Sequence, residues 1–163
     1  MLKRLVVAAG AALLALSAVV PGVMAARPPR EYLATPDFIE LAAGEACAFP
    51  VRIDFIANKE YGLTFSDAAG NFVRQLISGT LIVGLTNTTN GRSVTVDISG
   101  PAQAIGNADG GTTFILRGNS LPLVPGRLYT TTGVVVQVLA ADGTVVSTTR
   151  ATGTERDRCA ELA

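Results

Sequence analysis

The chain contains no histidine and no tryptophan, and its 163 residues include only two cysteines. Without histidine, a Ser-His-Asp or Cys-His nucleophile is excluded unless another base is recruited. A zinc site needs three or four ligands, and the chain has no histidine to supply them. Without tryptophan, an aromatic platform for sugars falls to Tyr32, Tyr61 and Tyr129. Lysine is nearly absent as well. Beyond Lys3 the chain has only Lys59, in the turn-like "ANKEYG", so the motif of a Ser-Lys enzyme is missing. There is no excess of basic charge either, since 13 basic residues balance 13 acidic ones. A nucleic-acid binder needs a basic face to neutralise phosphates, so that class is set aside.

The N-terminus is the one long apolar run. Lys3 and Arg4 precede an unbroken stretch of apolar and small residues from Leu5 to Val20, which Pro21 and Gly22 end. A basic head, a short apolar segment and small residues before a cut are the pattern of a secretory signal peptide. The run is short for a membrane span, which takes roughly 20 apolar residues. Cleavage is expected after Ala25, with Ala26 the neighbouring choice. The chain then divides into a signal peptide over 1–25, an extended proline-rich leader over 26–36, and a single domain over 37–163. No integral membrane segment is expected after the cut, and export is the expected destination.

Export gives the two cysteines their meaning. Outside the cell a cysteine pair is usually oxidised, and Cys47 and Cys159 allow a single intramolecular pairing. A redox pair would have close spacing such as C-x-x-C, which is absent. Two free thiols are the competing reading. The expected structural disulfide would close a long loop and stabilise the fold by roughly 4–5 kcal/mol in the chain-entropy picture.

Between the cysteines the dominant period is two. "CAFPVRIDF" alternates Cys47, Phe49, Val51, Ile53 and Phe55 with Pro50, Arg52 and Asp54, the pattern of a strand with one buried face. Pro50 lacks an N–H, which places it at an edge or an outward position. "EYGLTFSD", "FVRQLI", "GTLIVGLTN", "SVTVDI", "TTFILRG", "YTTTGVVVQVLA" and "TVVSTTRA" continue the series. Turn compositions separate them: "DAAGN", "TNTTNG", "GNADGG" and "ADG". No helical stripe appears, and the last dozen residues have two equal readings: one short helical turn capped by Asp157, or a solvated tail in which Asp157 or Arg158 pairs locally. The expected fold is all-β: one antiparallel β-sandwich or flattened small barrel of about eight strands, mostly hairpin-connected and closed by one disulfide.

Three stretches, "CAFPV", "LTNTTNGRSVTVDISGP" and "ATGTERDRCAEL", together resemble a set of small secreted actinobacterial proteins of unknown function. The resemblance covers roughly residues 47–162. It implies the β fold and export, and brings no activity with it.

Candidate chemistry is sparse. Asp54, Asp97 and Glu60 are the carboxylates that could form a pair for glycoside hydrolysis, though surface acids on strands are usually solvated. Asp67, Asp109 and Asp142 sit in turns and could ligate calcium, but turn aspartates more often bond their own backbone. Asn87 begins an N-glycosylation sequon, "NTT". No catalytic residue, metal site or cofactor is assigned. The expected function is a non-enzymatic secreted β-domain that binds an extracellular or envelope partner. A β-barrel holding an apolar ligand in its mouth is the alternative, and a carboxylate-dependent enzyme the third reading.

Overall fold

A computed structural model describes residues 28–122 and 124–163. The signal peptide and its cleavage site at Ala25 or Ala26 lie outside the described residues. The described chain is antiparallel β throughout apart from one short helix. Its strands are β1 (Arg30–Tyr32), β2 (Phe38–Leu41), β3 (Val51–Asn58), β4 (Tyr61–Ser66), β5 (Phe72–Ser78), β6 (Leu81–Asn87) and β7 (Ser93–Asp97). They continue with β8 (Ala102–Gly106), β9 (Thr112–Arg117), β10 (Tyr129–Thr131), β11 (Val134–Leu139), β12 (Val145–Thr152) and β13 (Glu155–Asp157), and α1 (Arg158–Leu162) follows.

The strands form a seven-stranded sheet in the order β1-β4-β5-β8-β9-β11-β12, a four-stranded sheet in the order β2-β3-β6-β7, and the ribbon β10-β13. Read along the chain, this is a folded meander. Residues 30–41, 51–66, 72–87 and 93–106 each contribute a segment to both larger sheets, and they keep the same neighbours in each. Strands that switch sheets at a bend make the corner of a β-sandwich. Only Lys59 and Glu60 separate β3 from β4, and only Gly79 and Thr80 separate β5 from β6. The bends are stitched together: the Lys59 N–H donates to the Thr80 carbonyl at 2.7 Å, and the Leu33 N–H to the Glu60 carbonyl at 3.0 Å. Neither large sheet closes into a barrel.

The seven-stranded sheet turns at one end through three hairpins of one design, at residues 67–71, 107–111 and 140–144. In each, the first residue's N–H donates to the fifth residue's carbonyl, and the fourth residue is a glycine with positive φ: Gly70, Gly110 and Gly143. An aspartate in each turn, Asp67, Asp109 or Asp142, accepts from backbone N–H groups further on.

The main core lies on the inner face of the four-stranded sheet. Val51, Ile53, Leu81, Val83, Leu85 and Val96 pack there against Ala46, Cys47, Leu128 and Leu162. The C-terminal segment covers this face. Cys47 and Cys159 are bonded, with Cα atoms 5.5 Å apart. Asp157 caps α1, its Oδ1 accepting from the Ala160 N–H at 3.0 Å.

The structure departs from the sequence reading at its margins. Residues 47–50 form bends rather than the start of a strand, and β3 begins at Val51; Pro50 has no N–H for a ladder. Arg30–Tyr32, within the proline-rich leader, pairs with β4 as an edge strand. "YTTTGVVVQVLA" divides at Thr132-Gly133 into β10 and β11, which belong to different sheets. These divisions, with β2, β8 and β13, raise the strand count to thirteen without changing the architecture.

Candidate functional site

The carboxylates singled out from sequence do not meet. Asp54 and Asp97 share the outer face of the four-stranded sheet, but β6 lies between their strands. That separates them laterally by about 10 Å, with a further offset along the strand. Asp54 is held by Arg52 at 2.8 Å. Glu60 lies on the other side, in a hollow between the sheets with Ile77, Leu81, Ile98, Phe114 and Leu121. Burial there raises its carboxyl above the ordinary glutamate value. Asp67, Asp109 and Asp142 are spread over three hairpins, and no group of three metal-ligating side chains gathers among the described residues. Asn87 is 3% exposed and donates its side-chain amide to the Leu162 carbonyl, so its sequon has no room for a glycan. Of the three tyrosines Tyr32 alone is exposed. Arg30 lies 4.1 Å over the Tyr61 ring, Tyr32 packs edge-on against it, and Tyr129 is buried. The apolar hollow beside Leu41, Ile53, Leu121 and Leu128 measures about 160 Å³, small against the roughly 300 Å³ at which ligand pockets begin.

A larger concavity is one the sequence did not single out. A groove of about 420 Å³ runs beside β7, between that strand and the β10–β13 ribbon. Five threonines line it, Thr95, Thr130, Thr131, Thr132 and Thr154, together with Asp97, Asn119, Arg156 and Arg158. Its wall is a sheet edge, because among the described residues β7 pairs with β6 alone. The Asn87 N–H donates to the Arg92 carbonyl and the Ile98 N–H to the Leu81 carbonyl, which fixes the phase of the ladder. In an antiparallel pair, alternate residues bond to the neighbouring strand and those between point away from it. Ser93, Thr95 and Asp97 therefore direct their backbone N–H and C=O groups outward, toward the groove.

The opposite wall is held by side-chain bonds. Arg158, 7% exposed, donates from Nε to the Thr130 hydroxyl at 2.9 Å and also pairs with Glu161. Arg156 pairs with Glu161 from the other side. Burial alone would raise the Glu161 carboxyl, but hydrogen bonds from Arg158 and Arg156 outweigh it and hold the group below its ordinary value. Thr132 and Thr154 share a hydroxyl–hydroxyl bond at 3.0 Å. On the near wall, hydrogen bonds from Ser99 hold Asp97 below the ordinary aspartate value. The groove thus offers one carboxylate, an exposed guanidinium, hydroxyls and a row of outward backbone groups. The groove hydroxyls bond to neighbouring groups: Thr130 accepts from Arg158, Thr131 donates to the Thr132 carbonyl, and Thr132 and Thr154 bond each other.

Sequence reasoning missed this site because its parts are far apart in the chain and individually bland. Thr95 and Asp97 read as the solvated face of a strand, and "YTTT" as part of one. No helix among the described residues is long and apolar enough to cross a membrane. Comparison with known proteins adds no assignment: no family model, no curated protein and no solved structure matches the chain.

Proposed function

We propose that this chain is an extracellular binding protein, not an enzyme, and that it captures a partner segment in extended conformation along β7. The observation that carries the reading is the β7 edge, unpaired among the described residues, opening onto a threonine-lined groove. Strand addition to an exposed edge supplies main-chain hydrogen bonds for affinity, while the surrounding side chains supply specificity. On this reading the chain is one of the small secreted actinobacterial proteins it resembles, and its partner is an extracellular or envelope component. The disulfide is compatible with that location.

The test uses the outward N–H of Thr95. Thr95→Pro removes that donor without removing a ladder bond, because the N–H faces away from β6. Thr95→Val keeps the donor and removes the hydroxyl. Random peptides displayed on phage are selected against the disulfide-bonded protein. The reading expects an enriched peptide that binds the parent and the valine variant, and binds the proline variant at least tenfold more weakly. Failure to enrich any peptide, or equal binding to the proline variant, overturns it.

A further inference from the structure

The two large sheets treat their outer faces differently. The four-stranded sheet is mostly polar on its outer face: Arg52, Asp54, Thr86, Thr95 and Asp97 point outward with Ile82, Ile56 and Phe38 among them, while Val51, Ile53, Val83, Leu85 and Val96 point inward. The seven-stranded sheet does not alternate. Its inner face is fixed by the buried Gly62, Ala104, Val135 and Gln137. The residues between these point outward, and they include Leu63, Phe65, Leu76, Ile115, Val136 and Val138. None of them is buried, and none packs into the core. Strands apolar on both faces belong to sheets covered on both faces, and among the described residues this sheet is covered on one.

The pattern of the uncovered face is self-complementary about its middle strand, β8. One row across the sheet reads Leu63, Leu76, Gln103, Ile115, Val136 from β4 to β11. The next reads Phe65, Arg74, Ile105, Thr113, Val138. We propose that this face is the interface of a two-fold homodimer whose axis runs parallel to the strands over β8.

Such an axis reverses the strand order and keeps the rows. Leu76 then meets Ile115 of the partner subunit, Leu63 meets the partner's Val136, and Phe65 meets the partner's Val138. Ile105 meets its own copy. The polar positions also match. Gln103 makes no side-chain hydrogen bond among the described residues, and on the axis it faces Gln103 of the partner subunit, an amide pair able to donate and accept in both directions. Arg74, whose guanidinium lies 4.6 Å over the Phe65 ring, faces the partner's Thr113. Arg117 faces the partner's Ser78. No arginine meets an arginine, and no charge meets an aliphatic side chain. Aligned sheets pack within about 30° of one another, so the match is closest on the central strands. Seven strands spaced about 4.8 Å apart and averaging about 20 Å in length give a projected footprint of roughly 600 Å². The accessible area of a corrugated surface exceeds its footprint, so each copy approaches the roughly 800 Å² of a standard interface.

The two-fold arrangement makes a test that simple apolar stickiness does not pass. Leu76→Glu and Ile115→Lys each place two charges against aliphatic neighbours in a homodimer. Mixed together, the two variants put the introduced carboxylate against the introduced ammonium at one site and restore Leu76 against Ile115 at the other. Sedimentation equilibrium of the disulfide-bonded protein is expected to show a dimer. Each variant alone is expected to dissociate at least tenfold more readily with unchanged circular dichroism, and an equimolar mixture to recover the dimer. Ile56→Glu, at a 59% exposed residue on the other sheet, is expected to leave association unchanged. A parent that stays monomeric at 100 micromolar overturns the proposal. So does a mixture that does not recover the dimer, and so does a parent that binds anionic lipid vesicles through this face while remaining monomeric.

Discussion

Asn87 and Leu162 join the β6–β7 turn to the last turn of the chain: the buried Asn87 amide donates to the Leu162 carbonyl at 3.0 Å. The carbonyl belongs to the end of α1, where helix acceptors have no intrahelical partner. Asn90 donates to the same oxygen at 3.1 Å, so Asn87→Ala leaves it one donor. The expected cost is about 1–2 kcal/mol, near the middle of the range for leaving a buried polar group short of a partner. A downward shift of the urea midpoint with unchanged slope checks this. No shift would mean that solvent already satisfies the carbonyl.

The disulfide fastens the same clasp. Cys47 and Cys159 are separated by 112 residues, so reduction, or Cys159→Ala, releases a long closed loop. In the chain-entropy account that costs roughly 4–5 kcal/mol. The clasp keeps other anchors, since Leu162 is 1% exposed and Arg158 donates to Thr130. The expectation is therefore a domain that still folds, with a loss of a few kcal/mol. Amide exchange is expected to accelerate first in β13 and α1. Identical denaturation midpoints for oxidised and reduced protein would refute this.

The bend between β5 and β6 rests on Gly79. Its φ is +151°, and a Cβ there would lie 2.1 Å from the Lys59 carbonyl oxygen, on the backbone of the neighbouring bend. Neither chain can give way without breaking the Lys59–Thr80 hydrogen bond that stitches the corner. Gly79→Ala is expected to destabilise by at least about 2 kcal/mol, in the range of strained-backbone and overpacking substitutions. Gly91→Ala, at a turn glycine with open space around the added carbon, is expected to cost less. Thermal melts of the two variants check the order, and a larger loss at Gly91 would contradict it.

How much of this was legible follows from what each element depends on. β3, β6 and β7 were plain in sequence because one face is buried and the other solvated, which writes period two into the residues. The capping role of Asp157 was legible as one of two equal readings because a cap is a local device. β8 was not. "AQAIG" has little β propensity, and the strand is held by its neighbours on both sides. The irregular alternation of "FVRQLI" and the unbroken "VVVQVL" were visible, but their meaning needed the register that puts Leu76 and Val136 on one uncovered face. The groove beside β7 needed the tertiary fold outright, because Thr95 and Thr154 come together only after the C-terminal clasp has closed.

Glu60 gives the fold a pH dependence opposite to that of its exposed aspartates. Burial among Ile77, Leu81 and Phe114 raises its carboxyl above the ordinary value of 4.5. Between 4.5 and the raised folded value, the folded chain holds a proton that the unfolded chain has lost. Stability from this group therefore falls as pH rises through that window, and stays lower above it. Glu60→Gln keeps the shape and removes the ionisation. The variant is expected to melt higher than the parent at neutral pH, with the gap closing below 4.5, where both side chains are neutral. Asp67, Asp97 and Asp142 act in the reverse sense: hydrogen bonds hold them below the ordinary aspartate value of 3.8, so what they contribute is present above 3.8 and lost on further acidification. Comparing parent and Glu60→Gln at matched pH cancels that shared loss and isolates Glu60. A Glu60→Gln variant less stable than the parent at neutral pH would show that the carboxylate is stabilised by a cation, and would remove the basis for the prediction.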